Sequence, residues 1–451
     1  MLIGEKVRDL CVGIEGFRIK VTTLRRDMSR PSYIGLLREN RTFRKLFFAN
    51  EISFIGDWFT VIALFLIAGE SSNNSPLAIA GVLATRSFTF APLEPFTGML
   101  ADKYSRKSLM LISNIFSFLI LISVLSLELL DNLFSVYLIS ITLVIGRAIF
   151  DPAQTAYLPN ICTEEELLTA NAIISGGWSA AMGIGAGIGG LAISEFGVDL
   201  ALWIDSITFL FAALIIYTLP EGGPKKSNKK EISIRIIFKE ILDGWKYIRY
   251  NSPIRRVVGA KGMWASGGGA QVFLIVLIGM EVGFGEIAAG IGILYMARGF
   301  GSGFGPLAGK SIMTNTRLRP YIPGIAISIS GIFYIAVGIV EWNFILLLLI
   351  FISHASSGIN WVYSTTLLQE RTEDEWRGRV SGSDNLVITL TMGISTIIAG
   401  LIMEYELLEL RETIGLTGII QILVGFLWLI FSSSNEKKYF DSKEKICFGN
   451  Q

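Results

Sequence analysis

Twelve apolar stretches, each long enough to cross a bilayer, constrain this chain more than any other feature. They fall at about 45–69, 77–100, 108–128, 133–157, 166–194, 199–219, 255–281, 286–308, 320–340, 343–367, 378–403 and 411–433. A helix of ~20 apolar residues spans the ~30 Å hydrocarbon core of a membrane, where backbone groups must be satisfied within the segment. Composition agrees: 17% of the 451 residues are charged, against about 25% in soluble chains. The mean hydropathy is +0.55, an apolar excess that must be housed in lipid. The predicted fold class is an all-α membrane protein with twelve transmembrane helices.

Charge sorts the connections between these spans. The odd-numbered ones hold Glu70; Glu128 and Asp131; Glu195 and Asp199; Glu281 and Glu286; Glu341; and a cluster from Glu404 to Glu412 in which Arg411 is the lone base. The even-numbered ones hold Lys103, Arg106 and Lys107; a run from Lys225 to Arg256; Lys310, Arg317 and Arg319; and Arg371, Arg377 and Arg379. The acidic connection at Thr163–Leu167 is the exception. Lys and Arg concentrate on the cytoplasmic side, so both termini are expected in the cytoplasm, with the protein in a plasma or inner membrane.

The chain divides accordingly. Residues 1–43 form a basic extension with Arg18, Lys20, Arg25, Arg26, Arg30, Arg38 and Arg41. A six-helix bundle is expected over 44–219, a linker over 220–253, a second bundle over 254–433 and a tail over 434–451. Within the linker, Ile236, Ile237, Ile241, Trp245 and Ile248 recur at helical intervals opposite Lys239, Asp243 and Lys246, the pattern of an amphipathic helix under the bundle. The six-and-six division carries a repeat. Gly98-Met99-Leu100-Ala101-Asp102-Lys103 returns as Gly305-Pro306-Leu307-Ala308-Gly309-Lys310, without the acid.

Several function classes are excluded. One His and three Cys supply neither a metal cluster nor a disulfide framework; Cys11, Cys162 and Cys447 fall in segments assigned to the reducing cytoplasm. Net charge is +1, which says nothing until the charges are placed along the chain, and a basic nucleic-acid surface is not indicated. The first forty residues lack an uninterrupted apolar run, so no signal peptide is expected. Gly185-x-Gly187-x-x-Gly190 matches a dinucleotide fingerprint in letters alone, because no strand precedes it. Gly176, Gly177 and Gly183 join this set as small faces for helix packing. No cofactor, no metal and no enzyme chemistry are expected, and no ATP site points to a primary pump.

The turn from Gly98 to Lys107 resembles the loop between helices 2 and 3 of the major facilitator superfamily. Further fragments narrow the resemblance: Ile52-Ser53-x-x-Gly56-Asp57-Trp58 with Ala63-Leu64; Phe150-Asp151-Pro152-Ala153 before Leu158-Pro159; Glu166-Leu167 and Ala170-Asn171-Ala172; Leu368-Gln369-Glu370; and Arg377-Gly378-Arg379-Val380. Together they are similar to the macrolide-efflux and enterobactin-exporter branch, the third drug:proton antiporter family. The resemblance implies two parallel, pseudo-symmetric six-helix bundles with substrate handled between them near the midplane. It further implies proton-coupled efflux of amphipathic small molecules by alternating access, acting as a monomer in the lipid bilayer. A lysolipid or siderophore carrier on the same fold, and a non-transporting receptor or assembly protein, are the other readings.

Charges at membrane depth are costly and normally face a partner or a cavity. Asp57 lies near the middle of the first span and is the main candidate for proton coupling, against the alternative of a permanent Arg partner; Glu51 is the second candidate. Gly98, Asp102, Arg106, Lys107 and Arg147 are the candidate inner gate, with Asp102 expected to accept hydrogen bonds from the start of the eleventh span near Gly378–Val380. Arg147 resembles the superfamily's helix-4 arginine. Arg86, Arg298, Trp58, Trp178, Trp264 and Trp361 are candidates for the substrate cavity, although aromatics at helical spacing more often serve packing. Asp205, Lys261, Asp384 and His354 are further ionisable groups in the spans.

Overall fold

In the computed structural model, residues 31–130, 132–222 and 234–448 are described, and all regular structure among them is helical. The helix Glu164–Tyr217 carries the main topological question, because 54 residues at ~1.5 Å each would reach far beyond a ~30 Å core. It breaks at Gly197, whose φ of 82° and ψ of 174° are non-helical; a side chain there would be strained. The chain therefore crosses twice, at 164–196 and 198–217.

Twelve spans result among the described residues. We label them α1 (Arg41–Glu70), α2 (Pro76–Lys103), α3 (Arg106–Ser126), α4 (Leu133–Ile161), α5 (164–196), α6 (198–217), α7 (Ser252–Glu281), α8 (Ile287–Ala308), α9 (Ile322–Ile339), α10 (Ile345–Arg371), α11 (Asp374–Glu404) and α12 (Leu410–Leu427). Local chemistry sets their starts. Asn40, Ser75, Ser105, Asn132 and Thr163 each accept a first-turn backbone N–H, which satisfies a donor that would otherwise be orphaned.

Packing reveals the symmetry. In the first half α1 lies on the α5–α6 pair, α2 on α4, and α3 on α4 and α5–α6. Adding six to each number gives the second half: α7 on α11 and α12, α8 on α10, and α9 on α10 and α12. The two main seams between halves, α2 with α11 and α5 with α8, exchange under the same operation. These are two pseudo-symmetric six-helix bundles. The α5–α8 seam depends on small residues: a Cβ added to Gly190 would lie 2.9 Å from the Cα of Gly292, so the backbones meet without side chains between them.

The two ends of the bundle differ. Toward the acidic connections one apolar cluster is shared by both halves, joining Ile62 and Phe65 of α1 and Ile79 of α2 to Leu274 and Ile278 of α7 and Ile291 of α8. Toward the basic connections there are two clusters. One holds Leu36, Phe43, Leu46, Phe150 and Tyr157 of the first half; the other holds Ile248, Val257, Tyr363, Leu367 and Val380 of the second. The halves thus share one apolar cluster at the acidic end and keep separate clusters at the basic end.

Three segments tie down the basic end. Within the extension read from the sequence, Tyr33–Glu39 is a short helix that buries Leu36; Arg18, Lys20, Arg25, Arg26 and Arg30 lie outside the described residues. The amphipathic helix runs from Ile234 to Tyr250. It seats Gly244 and Ile248 on α11, with Ser383 of α11 donating to the Ile241 carbonyl at 3.4 Å. Trp245 is exposed beside Phe238 and Leu242, so it lies off the packed face that holds Ile248.

The last span continues through a π-turn, Trp428–Ser432, into a helix over Ser433–Phe448. Buried Glu436 accepts two hydrogen bonds from Arg371 at 3.1 and 2.5 Å and one from Arg256 Nε at 2.6 Å, clasping this helix to α7 and α10. Glu436→Gln should cost about 2 kcal/mol, in the range for hydrogen bonds to charged groups. Thermal denaturation in detergent micelles tests this, and an unchanged melting temperature would show the clasp to be idle.

Cys162 closes α4, where Asn40 donates to the Ile161 carbonyl at 2.8 Å. Burial, with the Glu166 carboxylate beside it, pushes its thiol up to about 12. With Cys11 and Cys447 changed to Ser, maleimide should label Cys162 at neutral pH about a hundredfold more slowly than free cysteine, since the thiolate is the nucleophile. Labelling at the free-thiol rate would contradict the burial.

Candidate functional site

Intramembrane charges gather in the first half. Asp57 on α1 accepts no hydrogen bond and forms no ion pair among the described residues. The charges that act on it most strongly are Arg147 of α4 and Arg86 of α2, with Asp151 beyond them. Arg147 pairs with Asp151 at 2.8 Å, one helical turn on, and its guanidinium lies 4.7 Å from the Phe54 ring centre. A small polar cavity between α1, α3 and α4 is lined by Asp57, Arg147, Ser53, Ser113, Asn114 and Ser117. The sequence candidates Asp57, Arg86 and Arg147 thus form one electrostatic group.

Asp205, a buried residue of α6, belongs to the same group. It accepts hydrogen bonds from Thr60 and from Thr208 at 3.2 Å and interacts electrostatically with Asp57 and Arg86. Glu51 lies toward the basic end, where buried Asn50 donates to it at 3.0 Å and its carboxylate fills the space a side chain at Gly177 would need.

Arg298 stands apart, midway along α8. One guanidinium nitrogen rests 2.8 Å from the Met182 sulfur of α5, across the seam, while its Nε is buried without a partner among the described residues. Tyr295, Tyr334 and His354 surround it. Tyr334 and His354 share a hydrogen bond of 3.0 Å between Oη and Nε2. Lower in the second half, Lys261 of α7 pairs with Asp384 of α11 at 2.5 Å, both 2% exposed, and lies 4.7 Å from the Trp361 ring centre.

The aromatic candidates divide. Trp58 packs on Tyr295 with ring centres 5.1 Å apart, bridging the halves. Trp178 stacks on Phe54 at 5.8 Å, and Trp264 meets Trp361 at 6.0 Å. Trp178 and Trp361 are each 41% exposed.

The candidate gate is anchored on its own half. Arg106 donates to the Ala156 carbonyl at 2.7 Å and to Asn160 at 2.8 Å, and Lys107 pairs with Glu221 at 3.2 Å. Asp102 is exposed and makes no hydrogen bond or ion pair among the described residues, and a Cβ on Gly98 or Gly378 would meet nothing within 4 Å. The expected contact between Asp102 and the start of α11 is not made in this structure, where the two halves keep separate apolar clusters at that end.

Glu94 escaped sequence reasoning. It accepts a 2.7 Å hydrogen bond from Asn385 of α11, linking the halves on the basic side of the seam. An acid between Pro92 and Pro95 inside a membrane span was the available signal.

The chain belongs to the Major Facilitator Superfamily, whose family model matches residues 46–396. It is a membrane transporter and not an enzyme. The MFS-type transporter YfiS of Bacillus subtilis is 25% identical over 42% of this chain, a match spanning 44% of YfiS. BacE of Bacillus subtilis, named for bacilysin export, is 24% identical over 78% of this chain and 86% of its own length. The lysophospholipid transporter LplT of Cronobacter sakazakii is 27% identical over 67% of this chain and 73% of its own. Among solved structures, a peptide transporter of the POT family superposes with a TM-score of 0.71 at 9% identity, covering 91% of this chain and 98% of that one. At that identity it speaks for the fold alone.

Proposed function

We propose that this chain is a proton-coupled exporter of amphipathic small molecules, working as a monomer by alternating access, with both termini in the cytoplasm. The observation that carries the reading is the asymmetry of the two ends: a shared apolar seal at the acidic end and separate clusters at the basic end. That is one of the two states an alternating carrier needs, and with the basic end cytoplasmic it is open inward. Asp57, beside Arg86 and Arg147 and without an ion pair among the described residues, is the proton carrier. In the opposite state the Gly98–Lys107 turn closes on the start of α11, with Asp102 facing the N-terminal dipole of that helix.

The similarity to BacE supports export. The similarity to LplT favours a second reading, lysolipid carriage on the same scaffold. Proteoliposomes with an imposed pH gradient, loaded in turn with drugs, a dipeptide and lysolipids, test both. Substrate flux that follows the gradient supports proton coupling; flux that ignores it contradicts the coupling.

A further inference from the structure

The two halves treat their central cations differently. In the first half Arg86 and Arg147 have Asp57, Asp151 and Asp205 around them. In the second, the groups among the described residues that act on Arg298 are Tyr295 and Tyr334, with no carboxylate. Its hydrogen-bond contact is a thioether, a weak acceptor, and its Nε is buried with no acceptor among the described residues. A guanidinium offers five donors in a fixed fork. Leaving them unmatched at membrane depth is costly, and the guanidinium cannot escape by deprotonating.

Arg298 is also only partly covered, although Tyr295, Tyr334 and His354 around it are buried. The Tyr334 hydroxyl, hydrogen-bonded to His354, places further polar groups beside the cation.

We infer that Arg298, with Tyr334 and His354, forms an anion subsite that receives a carboxylate or phosphate carried by the substrate. The inference rests on the transporter reading above and specifies the substrate class: amphipathic molecules bearing a negative headgroup. The bidentate geometry of guanidinium with carboxylate or phosphate makes Arg298 a recognition group, and its place on the α5–α8 seam puts the bound anion where the halves meet.

The test is binding, not flux, so it can fail while the transport reading stands. Melting temperature of the purified full-length protein in neutral detergent is followed against two matched pairs. One pair is oleoyl-lysophosphatidylglycerol and mono-olein, which share a tail; the other is alanyl-alanine and its C-terminal amide. In at least one pair the anion should bind about tenfold more tightly than its match, equivalent to about 1.4 kcal/mol. Which pair responds separates a lipid headgroup from a soluble carboxylate. Arg298→Gln should erase the preference and Arg298→Lys should keep part of it. If Arg298→Gln does not fold, Tyr334→Phe carries the test, weakening the anion several-fold without changing its neutral match. Equal binding within both pairs, binding of none of the four, or a preference undiminished by the available variants would overturn the inference.

Discussion

Asp57→Asn should reduce pH-gradient-driven flux to the level of protein-free vesicles while the protein still inserts and folds. Asparagine keeps the size and the hydrogen-bonding capacity of the side chain but cannot exchange a proton, so the change isolates titration from packing. The geometry makes this loss specific. Asp57 has no direct partner among the described residues to leave behind, and the cations nearest to it electrostatically are held elsewhere or shared: Arg147 by Asp151 at 2.8 Å, and Arg86 by the fields of Asp57 and Asp205. Folding should therefore change little, and downhill exchange of substrate without a gradient should survive. Gradient-driven flux equal to wild type would remove Asp57 from coupling and make it a structural charge.

Lys261→Met should produce the largest loss of stability. The Lys261–Asp384 pair is 2% exposed on both sides, and one Asp384 oxygen is already buried without a partner among the described residues. Removing the cation strands a carboxylate in the bundle, and breaking a buried pair by deleting one member costs about 3–5 kcal/mol. Methionine retains most of the apolar stem, so the loss is chiefly electrostatic. The double variant Lys261→Met, Asp384→Asn should recover much of it, because neither charge is left alone. Thermal denaturation in micelles reads both numbers. A single variant as stable as wild type, or a double variant worse than either single, would show that the pair is not what joins α7 to α11 there.

The spans were legible in the sequence because Lys and Arg mark one set of connections and acids the other. Even the break at Gly197 lies between the stretches read as 166–194 and 199–219. Helix ends shifted by a turn, as at α4, which runs to Ile161 and not 157, since apolar content says little about where a capped helix stops beyond the membrane. Asp57, Arg86 and Arg147 stood out as charges in apolar runs, and the structure groups them. Their partners could not be read in the same way. Lys261 and Asp384 are 123 positions apart, and hydropathy does not say which helix faces contact each other. The sealed and open ends were beyond reach for the same reason, because α1 and α7 are equally apolar whether or not they touch. Asp102 shows the limit of a motif: the residues announce a gate, but whether it is shut depends on the state of the molecule.

The central claim is that the two halves open in turn at opposite ends, and paired distances measure this most directly. On a cysteine-free background, spin labels at Lys103 and Glu375 report the basic end, and labels at Ser71 and Tyr405 report the acidic end; all four positions are exposed. The account predicts two populations whose weights shift with pH or substrate, the basic-end distance shortening as the acidic-end distance lengthens. Fixed distances at both ends, or distances that change in the same direction, would contradict it.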